Sequence, residues 1–271
     1  MIINHNMNAM NSHRNLVANN IQQGKSSEKL SSGFRINRAA DDAAGLSISE
    51  KMRAQIKSLD QAQRNAQDGV SLVQTAEGAM SEVSDMLGRM KELAVQANNG
   101  TYNASDLAAM DKEYTALKSA IDNIATTTKF NGITLLDGSA AAPVTIQIGD
   151  STSTIAAVDL TSADVTTGTL GVGDLSTVAN AAAELAKVDT AIGLVNAARS
   201  DLGAFQNQLE HTFNNLGATA ENLQGAESRI RDTDMAKEMM SYTKFNILQQ
   251  ASTAMLAQAN QAPQGVLQLL R

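Results

Sequence analysis

The sequence predicts a mainly α protein, an elongated antiparallel bundle of long coiled-coil-like helices with a small β-hairpin region and paired terminal helices. Three observations lead to it. From Met52 to Ala97 the apolar residues step by threes and fours, thirteen steps over 45 residues, close to the period of left-handed coiled coils. From Leu185 to Ile230 a second stripe repeats that count and period. Only 3% of the 271 residues are aromatic and none is Trp, so a conventional globular core would be thin and a narrow shared seam suits the chain better. Two stripes of equal length joined by shorter elements should pack antiparallel.

The elements follow in order. Ile2, Met10, Leu16, Val17, Ile21 and Leu30 form a stripe at roughly helical spacing among Asn, Gln and Ser. It is too thin to hold a lone helix in water, so this segment needs a partner. Leu30 to Ile48, LSSGFRINRAADDAAGLSI, reads as a joint with Ser32, Gly33, Arg35, Asn37, Arg38, Asp41, Asp42 and Gly45 as its working residues. Ser and Gly form the turn, and Arg35 and Arg38 lie within a turn or so of Asp41 and Asp42, a spacing that lets charges clamp a bend. The plainer reading is a polar loop with a helix N-cap at Asp41 or Asp42.

One helix is expected from about Ala43 to Asn98, of order 80 Å long. Gly69, Gly78 and Gly88 each weaken it by roughly 1 kcal/mol relative to Ala, which points to close helix contacts or to softness there. Asn98, Asn99 and Gly100 end it. Ser105 or Asp106 then caps a shorter helix with Leu107, Met110, Tyr114, Leu117, Ile121 and Ile124 on its apolar face. Asn131-Gly132 and Asp137-Gly138 read as tight turns of a hairpin. From about 139 to 178 the composition shifts to Thr, Ala, Val, Gly and Asp, a variable segment of short strands or irregular structure. The second long helix follows. Met235, Met239, Tyr242, Leu248, Met255 and Ala259 continue at helical spacing until Pro263, which is expected to stop the helix. The two termini are natural partners for each other.

The chemistry the chain lacks narrows its function. A net charge of −7 without a basic cluster argues against nucleic acid. No Cys means no disulfide, thiolate or Cys-ligated metal. No apolar run reaches the ~18 residues of a membrane span, so no membrane insertion is expected. The start MIINHNMN has neither the basic region nor the apolar core of a secretory signal, which by itself suggests a cytoplasmic protein. His5, His13 and His211 make no HExxH, Asp41-Asp42 has no spaced acidic loop for Ca²⁺, and Gly171 and Gly173 read as a turn. Asp111, Lys112 and Glu113 read as the solvated face of a helix. No catalytic, metal or cofactor site is expected. The Met-rich stripe of Met235, Met239, Tyr242, Leu248 and Met255 reads as core that also serves for binding, a seam for polymerisation and for a chaperone.

LSSGFRINRAADDAAGLSI closely resembles the N-terminal signature of bacterial flagellins. LGRMKELAVQANNGT, KFNGITLLDG and the run from ESRIRDTDMAKEMM to the final VLQLLR are similar to that family as well, covering together roughly 180 of the 271 residues. The resemblance implies a short form without a large outer domain. Residues 1–45 and 232–271 would make the inner terminal-helix domain with its joint, and 46–231 the helical bundle domain. It further implies a non-enzymatic subunit that leaves the cell unfolded through the flagellar type III apparatus, without a cleaved signal peptide. Outside the cell it would polymerise with itself into a hollow filament for motility, its termini folding on assembly. Implied partners are an export chaperone on the C-terminal segment, the filament cap and hook-junction proteins, and the Toll-like receptor for flagellin at Arg89, Leu93 and Glu113. Gly88 and Lys91 stand where the family commonly carries Gln and Arg. A hook-filament junction protein and a coiled-coil scaffold are the alternatives.

Overall fold

The computed structural model describes residues 6–138, 144–149, 155–158, 165–175 and 177–269. Its elements are α1 (Met7–Ser32), α2 (Ala43–Ala97), α3 (Ala104–Thr127), β1 (Lys129–Phe130), β2 (Ile133–Thr134), β3 (Val144–Gln147), β4 (Ile155–Val158), α4 (Thr167–Leu170), α5 (Val178–Arg231) and α6 (Met235–Leu269). The chain separates into two compact units, residues 1–54 with 222–271 and residues 55–221, the divisions falling inside α2 and α5. The mainly helical class and the two long helices agree with the periodicity. Ile2 and most of the 139–164 segment lie outside the described residues.

In the 55–221 unit, α2 and α5 run antiparallel in one register. Gly69 packs beside Leu209, Glu77 pairs with Arg199 and Lys91 with Asp189, so numbers rise along one helix as they fall along the other. The core takes Val73, Met80, Leu87 and Met90 from α2, Tyr114 and Ile121 from α3, Leu135 and Leu136 after the hairpin, and Val188, Val195, Leu202 and Leu209 from α5. The helical residues among them lie on their predicted stripes, because an apolar face spaced at the helical period can be buried continuously. Of the three glycines within the long apolar stripe of α2, Gly69 meets Ile146 of β3, whereas nothing lies near Gly78 or Gly88. The close-contact reading therefore holds at the first alone.

α3 begins slightly earlier than Ser105 or Asp106 suggests. Asn103 is its N-cap and Asp106 closes the capping box, each side chain bonding the other's backbone amide. Asp106 acts from the third helical position, where a carboxylate returns to the cap. The hairpin forms as expected, with Phe130 opposite Ile133 and Asn131 and Gly132 at φ 49° and 84° in the turn. β3 pairs with β4, Val144 opposite Val158. Gly171 ends α4 in the left-handed region, in line with a turn at Gly171 and Gly173.

Three carboxylates anchor the 165–175 loop to this core. Asp122 accepts from Thr167 N–H and Oγ1, Asp111 from Leu175 N–H at 2.8 Å, and Glu184 from Gly173 N–H. Asp111 is thus a loop anchor and not merely part of a solvated face, because backbone donors on a buried loop must find acceptors. Burial, and next the Glu184 carboxylate, push the Tyr114 phenol above its ordinary value. Its neutral form is therefore favoured in the folded protein. Stability from this group is complete below the ordinary phenol range and falls as the pH rises through it. Tyr114→Phe should resist alkaline unfolding above pH ~10 better than the wild type, read as a smaller drop in melting temperature between neutral and alkaline buffer.

In the other unit α1 pairs with α6, as the two terminal stripes suggested. The paired faces differ from the predicted ones. Half-buried positions at this spacing are Ala9, Ser12, Leu16, Asn19 and Gln23, then buried Ser26, on α1, and Glu238, Tyr242, Phe245, Gln249, Ser252, Leu256 and Ala259 on α6. Both sets step by threes and fours. Asn19 Nδ2 donates to Ser252 Oγ across the pair at 3.0 Å. α6 also does not stop at Pro263 but continues to Leu269. The Ala259 carbonyl, which has no backbone donor at a proline four residues on, accepts instead from Asn6 Nδ2 at 2.7 Å.

Candidate functional site

The joint is built where residues 33–35 meet 231–233. Arg35 N–H donates to Arg231 O and Thr233 N–H to Gly33 O, with Phe34 bridged antiparallel to Asp232. Phe34 lies under two guanidinium groups, Arg231 at 4.8 Å and Arg53 at 5.9 Å from the ring centroid. Arg231 also pairs with Glu50, and Arg53 lies 3.7 Å from both Glu50 and Glu227. The other side of this joint therefore comes from Ile230 to Thr233, residues that sequence reasoning did not assign to it. Arg229 and Arg231 in the last turn of α5 were the available signal, since basic side chains there suit the helix end.

The predicted clamp of Arg35 and Arg38 on Asp41 and Asp42 is not how the bend is held. Arg38 pairs instead with Glu28, Nε to Oε1 at 2.9 Å and Nη2 to Oε2 at 3.1 Å, and Arg35 Nη2 donates to Ile230 O at 2.7 Å. Asp41 accepts from the backbone N–H groups of Asn37 and Arg38. Asp42 is the N-cap of α2, accepting from Gly45 N–H at 2.9 Å. Non-helical backbone has amides with no ladder partner, and these draw the carboxylates more firmly than exposed guanidinium groups do. Asn37 Nδ2 donates to Ser32 Oγ at 2.8 Å, and Ile36 beside it is buried.

The Arg38 N–H bond, with that of Asn37 and the nearby Lys29 and Lys25 charges, lowers the Asp41 pKa. A lowered carboxylate contributes stability above its ordinary titration range and loses it as the pH falls through the folded value. Gly33 closes α1 at φ 75° and its N–H donates to Lys29 O. Gly33→Ala should destabilise the joint by about 1–2 kcal/mol, the cost of a left-handed Ala, seen as a lower temperature at which assembled protein dissociates.

The paired terminal helices expose many of their apolar side chains. Met7 is 68% exposed, and Met10, Val17 and Ile21 are exposed farther along α1. On α6, Met235, Met239, Met240, Ile247, Leu248 and Met255 are exposed, Met255 at 63%. Tyr242 alone among the predicted seam residues is half-buried in the pair. Of the α1 stripe, Leu16 and Leu30 are half-buried while Met10, Val17 and Ile21 face outward. Monomeric proteins rarely leave such stripes uncovered. The two helices thus contact each other through a mixed seam, Leu16, Tyr242, Phe245 and Leu256 among small and polar residues, and leave their methionines and several other apolar residues uncovered.

On the 55–221 unit, Arg89 bonds Glu113 and Glu92, both at 2.9 Å, at the surface. The Glu113 bond, then that to Glu92, raises the Arg89 pKa further. Leu93 is 2% exposed. Arg89 and Glu113 are therefore brought together and accessible, whereas Leu93 is core, since it lies on the inward side of the α2 stripe. A docking molecule meets the ion pair and not Leu93. Among the described residues no group of His, Cys, Asp and Glu is arranged to hold a metal ion, and no helix is long and apolar enough to cross a membrane.

Comparison with known proteins agrees with this arrangement. Residues 3–141 match the bacterial flagellin N-terminal helical region and residues 185–270 the bacterial flagellin C-terminal helical region. The chain is 55% identical to a flagellin of Halalkalibacterium halodurans and 51% identical to a flagellin of Bacillus subtilis, in each case over the whole of both chains. The crystal structure of Bacillus cereus flagellin is 40% identical, with a TM-score of 0.51, over 60% of this chain and 94% of that one. With both helical regions matched and relatives aligned from end to end, the chain belongs to the bacterial flagellin family and is a structural subunit of the extracellular flagellar filament.

Proposed function

We propose that the 1–54/222–271 unit is the polymerising part of the subunit, that its terminal helices order on assembly, and that the 55–221 unit is the preformed body. One observation carries this reading. α1 and α6 face each other through a half-buried seam in which Leu16, Tyr242, Phe245 and Leu256 alternate with Ala9, Ser12, Asn19, Gln23 and Ser252, while Met7, Met10, Val17, Ile21, Met239, Ile247 and Met255 are exposed. A seam of this composition offsets little of the roughly 1–2 kcal/mol per residue needed to order a backbone. The outward stripes supply the missing burial when neighbouring subunits cover them.

The same faces serve an export chaperone before assembly, which would hold Met235, Met239, Tyr242, Leu248 and Met255 away from premature contact. Passage through the type III apparatus without a cleaved signal peptide requires an unfolded chain, which weak termini favour. At the filament ends, cap and hook-junction proteins meet these termini. The subunit's role is structural, not catalytic. A Toll-like receptor docking on the bundle would meet Arg89 and Glu113.

The test is amide hydrogen exchange of purified monomer and of polymer grown from filament seeds. Residues 7–32 and 235–269 should exchange freely in the monomer and become protected in the polymer, while Tyr114 to Ala125 and the α2 core stay protected in both. Protection of the termini in the monomer would sink the proposal and leave a preformed coiled-coil rod.

A further inference from the structure

We propose that Asn6 is a register pin that makes the C-terminal end of α6 depend on the N-terminal end of α1. The inference rests on the reading of the terminal pair as the assembling part. Asn6 performs two tasks with one amide. Its Oδ1 accepts from Ala9 N–H at 3.1 Å and caps the start of α1, while its Nδ2 donates to the Ala259 carbonyl at 2.7 Å. The partner carbonyl is a particular one. In an α-helix the carbonyl of residue 259 accepts from the N–H of residue 263, and residue 263 is Pro, which has no N–H to give.

α6 nevertheless runs ten residues beyond Ala259, to Leu269. An interior proline ordinarily breaks or kinks a helix partly because that carbonyl is left without a donor. Here a side chain 253 residues away in the sequence supplies it. The bond is partly buried, so water replaces it poorly and the missing donor is felt. Asn19 to Ser252 is a second cross-pair bond, but it joins two side chains on unbroken helix and neither repairs a gap in the other.

The arrangement makes the two ends mutually conditional. With α1 unformed, Ala259 lacks its donor and α6 has reason to end there. With α6 unformed past Ala259, the Asn6 amide loses its partner and α1 keeps only its cap. A bond from any neighbouring α1 residue would set a different axial position, so the location of Pro263 specifies which register is accepted. Asn6 is in this sense a positioning residue for assembly, and Pro263 is what creates the need for it.

The test is a double-mutant cycle on full-length protein polymerised from seeds, with Asn6→Ser, Pro263→Ala and the two combined. Ser caps a helix about as well as Asn but has no amide donor to reach Ala259. Pro263→Ala restores a backbone N–H to the Ala259 carbonyl. Asn6→Ser should raise the rate of subunit loss from heated polymer roughly tenfold in the native background and leave it unchanged in the Pro263→Ala background. If Asn6→Ser cannot polymerise, recovery of polymer in the combined variant supports the pin, and no recovery overturns it. An equal effect of Asn6→Ser in both backgrounds, or none in the native one, also overturns it. Amide exchange of the wild-type polymer separates the two readings: unprotected termini there would defeat the assembly proposal itself, whereas protected termini with no coupling between Asn6 and Pro263 would defeat the pin alone.

Discussion

Met239→Glu combined with Met255→Glu should abolish sedimentable polymer while the melting temperature of the 55–221 unit stays within experimental scatter of the wild type. Both methionines are exposed on α6, so the substitutions leave the half-buried seam with α1 in place. If neighbouring subunits cover this face, two carboxylates must be desolvated without partners, at several kcal/mol each. That exceeds what a marginal pairing of short stripes can absorb. Sedimentation after seeding gives the answer directly, and polymer in wild-type yield would mean that this face of α6 is not an assembly surface. Met235→Glu should do less, because Met235 begins the helix beside Asp234 and keeps access to water at the helix end.

Gly45→Val should loosen the joint by about 2–4 kcal/mol, the sum of a lost N-cap and an overpacked contact. A Cβ at Gly45 would come within 2.9 Å of both the Asp42 carboxyl carbon and Ile36 Cδ1. Moving either neighbour has a cost. Asp42 is held as the cap of α2 by the Gly45 N–H itself, and Ile36 is 2% exposed. Limited trypsin digestion should then cut faster at Arg35 and Arg38, since the loop that carries them is held by the same contacts. Unchanged cleavage would show that the joint tolerates a side chain there. Gly45→Ala should give a smaller shift in the same direction.

The comparison of Gly45 with Gly78 shows where sequence reasoning runs out. Both are glycines on or beside a helical stripe, and composition treats them alike. One is enclosed by Asp42 and Ile36 and the other has nothing near it, a difference set by how the chain turns back at Ile36 before α2 begins. Arg38 behaves in the same way. Its spacing to Asp41 is right for an ion pair, yet the Asp41 carboxylate goes to backbone amides and Arg38 turns to Glu28.

The sequence by itself determined the two long helices, their antiparallel pairing, the Asn131-Gly132 hairpin and the presence of a joint between Leu30 and Ile48. These follow from local periodicity and turn chemistry, which a single segment carries within itself. Only the tertiary structure decided which face of α1 meets α6, that Ile230 to Thr233 complete the joint, that Leu93 is core, and that α6 continues past Pro263. Each of these depends on a contact between residues far apart in the chain. A periodic stripe marks a face as apolar without saying what will cover it, and a proline marks a missing donor without saying whether another side chain will supply one.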